Sequence, residues 1–326
     1  LYVDQNTTLE QLSDAEAVEI GMTFEESIHP TNRGAFGSES DINHDGKVAI
    51  LLTPVINAMP SPGGGIILGF FNPTDLLPGL VNPACTNGME MFYALVPDPS
   101  LGGTDWKERS IDAIKSTLAH EFQHMILYNY RVLIYGEGFI STYMEELWLN
   151  EGLSHIAEDL NGFDTDNIAR ANYFLTGPRN TKLTFQYEDD IPNRGAVYMF
   201  LRLIGDRYGE GIYRNLVQSY YSGTVNIERA TGTGFLELFG DWSAALYLSG
   251  RGITADPRFN YNSIDLLGDF DPLNVAEYNL PVSFIGGSQK SMGPRFIRLN
   301  ASSQISYDVS LWPSSGSLNA VIIRLN

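Results

Sequence analysis

Two hydrophobic periods alternate along this chain, and the places where one gives way to the other mark out its elements. Ser13-Asp14-Ala15-Glu16 has the spacing of a capping box, which predicts a helix from there to about Ser27. Asp45-Gly46 then turns the chain into the apolar run 48–53, which reads as a buried strand. Beyond the Pro/Gly-rich loop 60–65, the short apolar runs 66–71 and 89–96 are further strand candidates. From about Lys107 to Tyr130 the period becomes helical. Ile111, Ile114, Leu118, Phe122 and Met125 form one stripe, and His120, Glu121 and His124 lie off it.

After Glu151 the pattern is mainly helical. Ala196, Met199, Phe200, Leu203 and Ile204 make an apolar stripe, with Gly209 placed to end its helix. Helical segments follow near 212–221 and 235–248. From about Asp269 the character changes: Ile305, Tyr307, Val309 and Leu311 alternate, and 320–325 is another apolar run. The expected fold class is α+β. A small mixed sheet with helices fills 1–135, a mainly helical subdomain 136–268, and a small β module 269–326.

Composition narrows the functions open to such a chain. A length of 326 residues at 43% hydrophobic content supports a substantial core. Net charge is 20 − 39 = −19, which argues against nucleic acid and anionic membrane surfaces as partners. Nowhere is there a run of about 18 apolar residues, so no membrane insertion is expected. Leu1-Tyr2-Val3-Asp4 carries no basic, apolar leader, which fits a mature secreted chain or a cytoplasmic one. The lone Cys85 excludes an internal disulfide framework.

The candidate chemistry is concentrated in His120-Glu121-Phe122-Gln123-His124. Two histidines one helical turn apart can share a metal ion, and a glutamate between them can work on water held by it. For the third ligand, Glu151 and His155 are both available on what should be one helix. A short-spaced third histidine after a glycine is ruled out, because those positions hold Leu127 and Tyr130.

On 120–124, the run 148–159 and, more weakly, Gly205-Asp206-Arg207-Tyr208-Gly209, the chain resembles the gluzincin zinc peptidases. Within them it is similar to hyicolysin-like neutral metalloproteases, over roughly residues 40–210. That resemblance implies a gluzincin-like catalytic unit, a Zn2+ cofactor held by His120, His124 and Glu151 (the glutamate of Asn150-Glu151), a polypeptide substrate and secretion. Thermolysin-like members place an aspartate one turn after the glutamate ligand, to hold a zinc histidine by its other ring nitrogen. Here His155 stands at that position, so the supporting carboxylate is expected at Glu158 or Asp159, either of which also reads as a surface charge.

Glu121 would act as general base. Gluzincins often add a tyrosine or histidine to stabilise the oxyanion. Tyr198, off the 196–204 stripe, is the candidate, with Arg194 beside it; a plain solvent-exposed tyrosine is the competing reading. The substrate is expected to lie against a strand edge formed by 89–96. Gly88-Met89-Glu90 partly resembles the amine-binding segment of alanyl-type aminopeptidases, but Met91 replaces its final asparagine, which favours an endopeptidase. A zinc aminopeptidase using Glu90 for the substrate amine, and a non-catalytic metal-binding adhesion module, are the alternatives. Asp41, Asn43 and Asp45 match the first half of a calcium loop, although Leu52 stands where its bidentate glutamate would be. Bound Ca2+ would be structural, and a plain Asp-Gly turn explains the same residues.

Overall fold

A computed structural model describes residues 1–60, 66–98, 105–136, 143–187, 189–301, 307–313 and 316–325. Its class is α+β. The elements begin β1 (Tyr2–Val3), α1 (Asp14–Thr23), α2 (His29–Phe36), β2 (Ala49–Leu52), α3 (Pro54–Asn57), β3 (Gly69–Phe71) and β4 (Met91–Ala94). Then come the helices α4 (Trp106–Tyr128), α5 (Leu147–Leu160), α6 (Thr165–Thr176), α7 (Ile191–Tyr208), α8 (Gly211–Val217), α9 (Gly223–Thr231) and α10 (Phe235–Leu248). Two short strands follow, β5 (Ala276–Asn279) and β6 (Ile297–Asn300).

Local chemistry accounts for several boundaries. Ser13 Oγ accepts from the Glu16 amide at 3.4 Å while Glu16 Oε2 takes the Ser13 amide at 2.8 Å, so the capping box opens α1. The helical path does not stop near Ser27. A π turn, Phe24–Ile28, carries it into α2, where Pro30 sits at a start position that needs no N–H.

By its contacts the chain forms two compact units. The first comprises Leu1–Glu146, Leu153–Asp164 and Glu210–Ser222. It holds a four-stranded sheet in the order β1-β2-β4-β3, parallel except for β3, which runs antiparallel to β4. This corrects the expectation that 89–96 forms an edge: β4 is bonded on both sides, and β3, beside it, is an edge strand, as β1 is at the other end. Beneath the sheet, Ile114, Leu118, Phe122 and Met125 of α4 are buried, and Phe122 meets Phe24 and Phe92 edge-on.

The second unit comprises Leu147–Gly152, Thr165–Gly209 and Gly223–Asn326. In it α6 and α7 pack so closely that a Cβ on Gly195 would lie 2.1 Å from the Arg170 carbonyl oxygen. Apolar contacts surround α7: Val197, Tyr198 and Leu201 are buried along with the stripe expected at 196–204. The terminal β module is smaller than expected. β5 and β6 pair in parallel, whereas Tyr307, Val309, Leu311 and 320–325 form no strand. Val309 and Leu311 are exposed and Ile322 is 85% exposed; an alternating run without a partner ladder has nothing to fix it as a strand. The loop 61–65 and Ile305 lie outside the described residues.

Candidate metal centre

α4 turns its core stripe to the sheet and leaves three donors on another face. Ligand atoms of His120, Glu121 and His124 all lie within 4.8 Å of one another, as the i, i+1, i+4 spacing on a helix allows. The two imidazoles meet nearly at right angles, 80° between planes and 4.8 Å between centroids. Glu121 is anchored from the sheet: the Phe71 amide of β3 donates to its Oε2 at 3.0 Å.

α5 supplies support from behind the histidines. Glu158 Oε1 lies 2.6 Å from His120 Nδ1 and 3.1 Å from His155 Nδ1. Burial by itself would raise the Glu158 carboxyl, but the charge and hydrogen bonds of His155 and His120 hold it well below the usual carboxylate range. An ionised carboxylate only accepts, so Nδ1 of His120 donates to it, and in the neutral ring this leaves the Nε2 lone pair for a cation. His155, fully buried, forms a second cluster of possible donors with His120 and Glu158. Ser154 was not singled out by sequence reading. Its hydroxyl donates to Gln123 Oε1 at 2.6 Å and lies 3.1 and 3.3 Å from the two ring nitrogens of His124. An oxygen nearly equidistant from both nitrogens sits against the ring rather than in line with either N–H, so Ser154 props the imidazole without choosing its tautomer.

In the second unit, Glu151 is ion-paired with Arg194, Oε2 to Nη2 at 2.9 Å, and Arg194 also forks onto Asp189. Gly152 explains the approach of α5 and α7 there: a Cβ on it would lie 2.7 Å from Val197 Cγ2 and 2.8 Å from Leu201 Cδ1. Helical periodicity puts Glu151, His155 and Glu158 on one face of α5.

Other sequence candidates fall elsewhere. Tyr198 is 1% exposed, so the reading of it as a solvent-facing tyrosine does not hold; α7 is buried on every side there. Asp159 is partly exposed, in contrast to Glu158. Glu90, 1% exposed at the start of the central strand, accepts through Oε1 from the Ser40 hydroxyl and the Ile42 amide. Around Asp41 the side chains cap their own turn. Asp41 accepts from the Gly46 amide, Asn43 from the Asp45 amide and Asp45 from the Lys47 amide, with His44 and Gly46 at positive φ.

The chain matches no protein-family model. A neutral metalloprotease of Staphylococcus hyicus, ShpI, is 26% identical over 230 residues, which make up 67% of this chain and 49% of that protein. The chain is related to the neutral metalloproteases. It spans about half the length of that relative. Two side chains that pack on or near the candidate centre escaped sequence reading for the same reason. Ser154 and Tyr128, whose ring packs edge-on against Phe71, are ordinary helix residues until the fold brings α5 and β3 against α4.

Proposed function

We propose that the protein is a zinc-dependent endopeptidase acting on polypeptides, with His120, His124 and Glu151 as ligands and Glu121 as general base. The observation that carries this reading is the Glu158 carboxylate at 2.6 Å from His120 Nδ1, which readies the other nitrogen of that ring for a cation. Two imidazoles with a carboxylate are zinc's donor chemistry, whereas calcium and magnesium take oxygen ligands. The metalloprotease relative supports the same choice. Zinc bound there would polarise the scissile carbonyl and lower the pKa of water toward neutrality.

The chain's own residues supply the rest. Glu121 takes a proton from the attacking water as the new C–O bond forms, then returns it to the amine as the C–N bond breaks. The Phe71 amide keeps that carboxylate at the free side of β3, where an extended peptide would add to the sheet edge. Arg194, partly exposed and beside Glu151, is our candidate for the oxyanion donor in place of the deeply buried Tyr198. Glu90 is 1% exposed, with Oε1 taken by Ser40 and Ile42, and burial of that carboxylate favours an endopeptidase over an enzyme that anchors a free amine. The resemblance to hyicolysin-like enzymes further supports an address outside the cell; among the described residues no helix is long and apolar enough to cross a membrane.

The test is Glu121→Gln. It should retain its zinc and lose about three decades of casein-hydrolysing rate, the scale expected for an essential base. A fully active, metal-loaded variant would end the mechanism. Cleavage confined to aminoacyl amides would replace the endopeptidase with an aminopeptidase.

A further inference from the structure

Three rungs join α4 and its continuation to α5 and the residues that lead into it, all within the first unit. His120 meets Glu158, His124 meets Ser154, and Arg131 meets Glu145. Sequence number rises along one side as it falls along the other, so the segments run antiparallel, and the first two rungs are one helical turn apart on both. The third rung differs in kind. Arg131, in the π segment Asn129–Ile134 that extends α4, has a fully buried side chain, and so has Glu145.

Every N–H of that guanidinium is used. Nε donates to Val217 O at 3.2 Å, and Nη1 to Tyr143 O at 3.3 Å and to Tyr221 O. Nη2 donates to Glu145 Oε2 at 2.8 Å and to Leu216 O at 2.9 Å. The other oxygen of Glu145 accepts the amide of Glu146, the N-cap of α5, at 2.9 Å. A planar five-donor fork with all its partners in place fixes direction as well as distance, which an ammonium group cannot do.

From this geometry we infer that Arg131 is a positioning residue of the metal centre: through Glu145 it sets the register in which α5 lies against α4. A slip of α5 by one residue would turn its face by about 100° and carry Glu158 away from His120 and Ser154 away from His124. The inference rests on the metal site proposed above, and its readout is metal affinity rather than turnover.

The experiment measures zinc affinity by competition with a chromophoric chelator, with circular dichroism to establish folding. It compares the wild-type chain, Arg131→Lys, and the double variant Arg131→Met with Glu145→Leu. The double variant is included because apolar groups of similar volume can replace a buried ion pair without leaving a stranded charge. Folded variants should bind zinc about 10- to 100-fold more weakly, the range seen when outer partners of metal ligands are lost. Wild-type affinity in either folded variant overturns the inference. If neither variant folds, the cluster is a folding element alone, and the inference is equally overturned. A wild-type chain that binds no zinc would instead bring down the proposed function.

Discussion

The two ends of α5 each carry a carboxylate, and their surroundings differ sharply. Near its C-terminal end, in the first unit, the Glu158 side chain is 4% exposed and bonded to two imidazoles. Near its N-terminal end, in the second unit, Glu151 is 11% exposed and its partner Arg194 is 26% exposed. A carboxylate locked between buried rings is suited to orient them. One held by a partly hydrated guanidinium can exchange that partner for another cation at lower cost, because water screens the arginine it leaves.

Metal affinity gives the sharpest way to break this contrast. Glu151→Ala should abolish stoichiometric zinc binding, whereas Glu158→Gln should weaken it by about 10- to 100-fold. Equilibrium dialysis of both variants decides it, and a greater loss at Glu158 would reverse the roles. Next in size is Gly152→Ala. The added methyl collides with Val197 and Leu201, and overpacking of this kind costs about 1–3 kcal/mol. A lowered denaturation midpoint is expected in urea melts, and an unchanged one would mean that α5 and α7 do not approach this closely.

Glu39 extends the contrast to a carboxylate that holds an imidazole away from the candidate metal centre. It lies 2.9 Å from Nε2 of His29, whose ring stacks on Phe122. Burial raises its carboxyl, but the His29 hydrogen bond, the backbone and the charges of His29 and Arg33 outweigh this and leave it below the usual range. A depressed carboxyl adds stability above its unfolded value of about 4.5 and loses it as pH falls through the folded one. The melting-temperature gap between wild type and Glu39→Gln should therefore close as pH drops below 4.5, and a constant gap would refute the pairing. Smallest is Tyr128→Phe. The Tyr128 hydroxyl is buried without a hydrogen-bond partner among the described residues, so removing it should stabilise the fold by about 1 kcal/mol, read as a higher midpoint. A lower midpoint would show that the hydroxyl has a role.

Legibility in the sequence followed the range of the interaction. The capping box at Ser13, the α4 stripe and the 235–248 helix are local patterns, and α10 has those very limits. Strand order was not legible, because β3 and β4 can be told apart as edge and centre only once their partners are known. The same holds for Tyr198: position off a stripe implies exposure only for a helix with one solvated side, and α7 has none there. At the candidate site, clustering of His120, Glu121 and His124 follows from helical spacing alone. That Glu158 rather than Asp159 reaches His120, and that Ser154 backs His124, depends on how α5 lies on α4, which no local pattern encodes.

The tether between Phe71 and Glu121 leaves the carboxylate with unequal oxygens. Because Oε2 is moored to a main-chain amide, Oε1 is the freer oxygen, and if Glu121 serves as the base, the tether would favour that oxygen for taking up a proton and giving it back. That preference would rest on a backbone hydrogen bond that side-chain substitution at position 71 leaves intact, and only proline would remove.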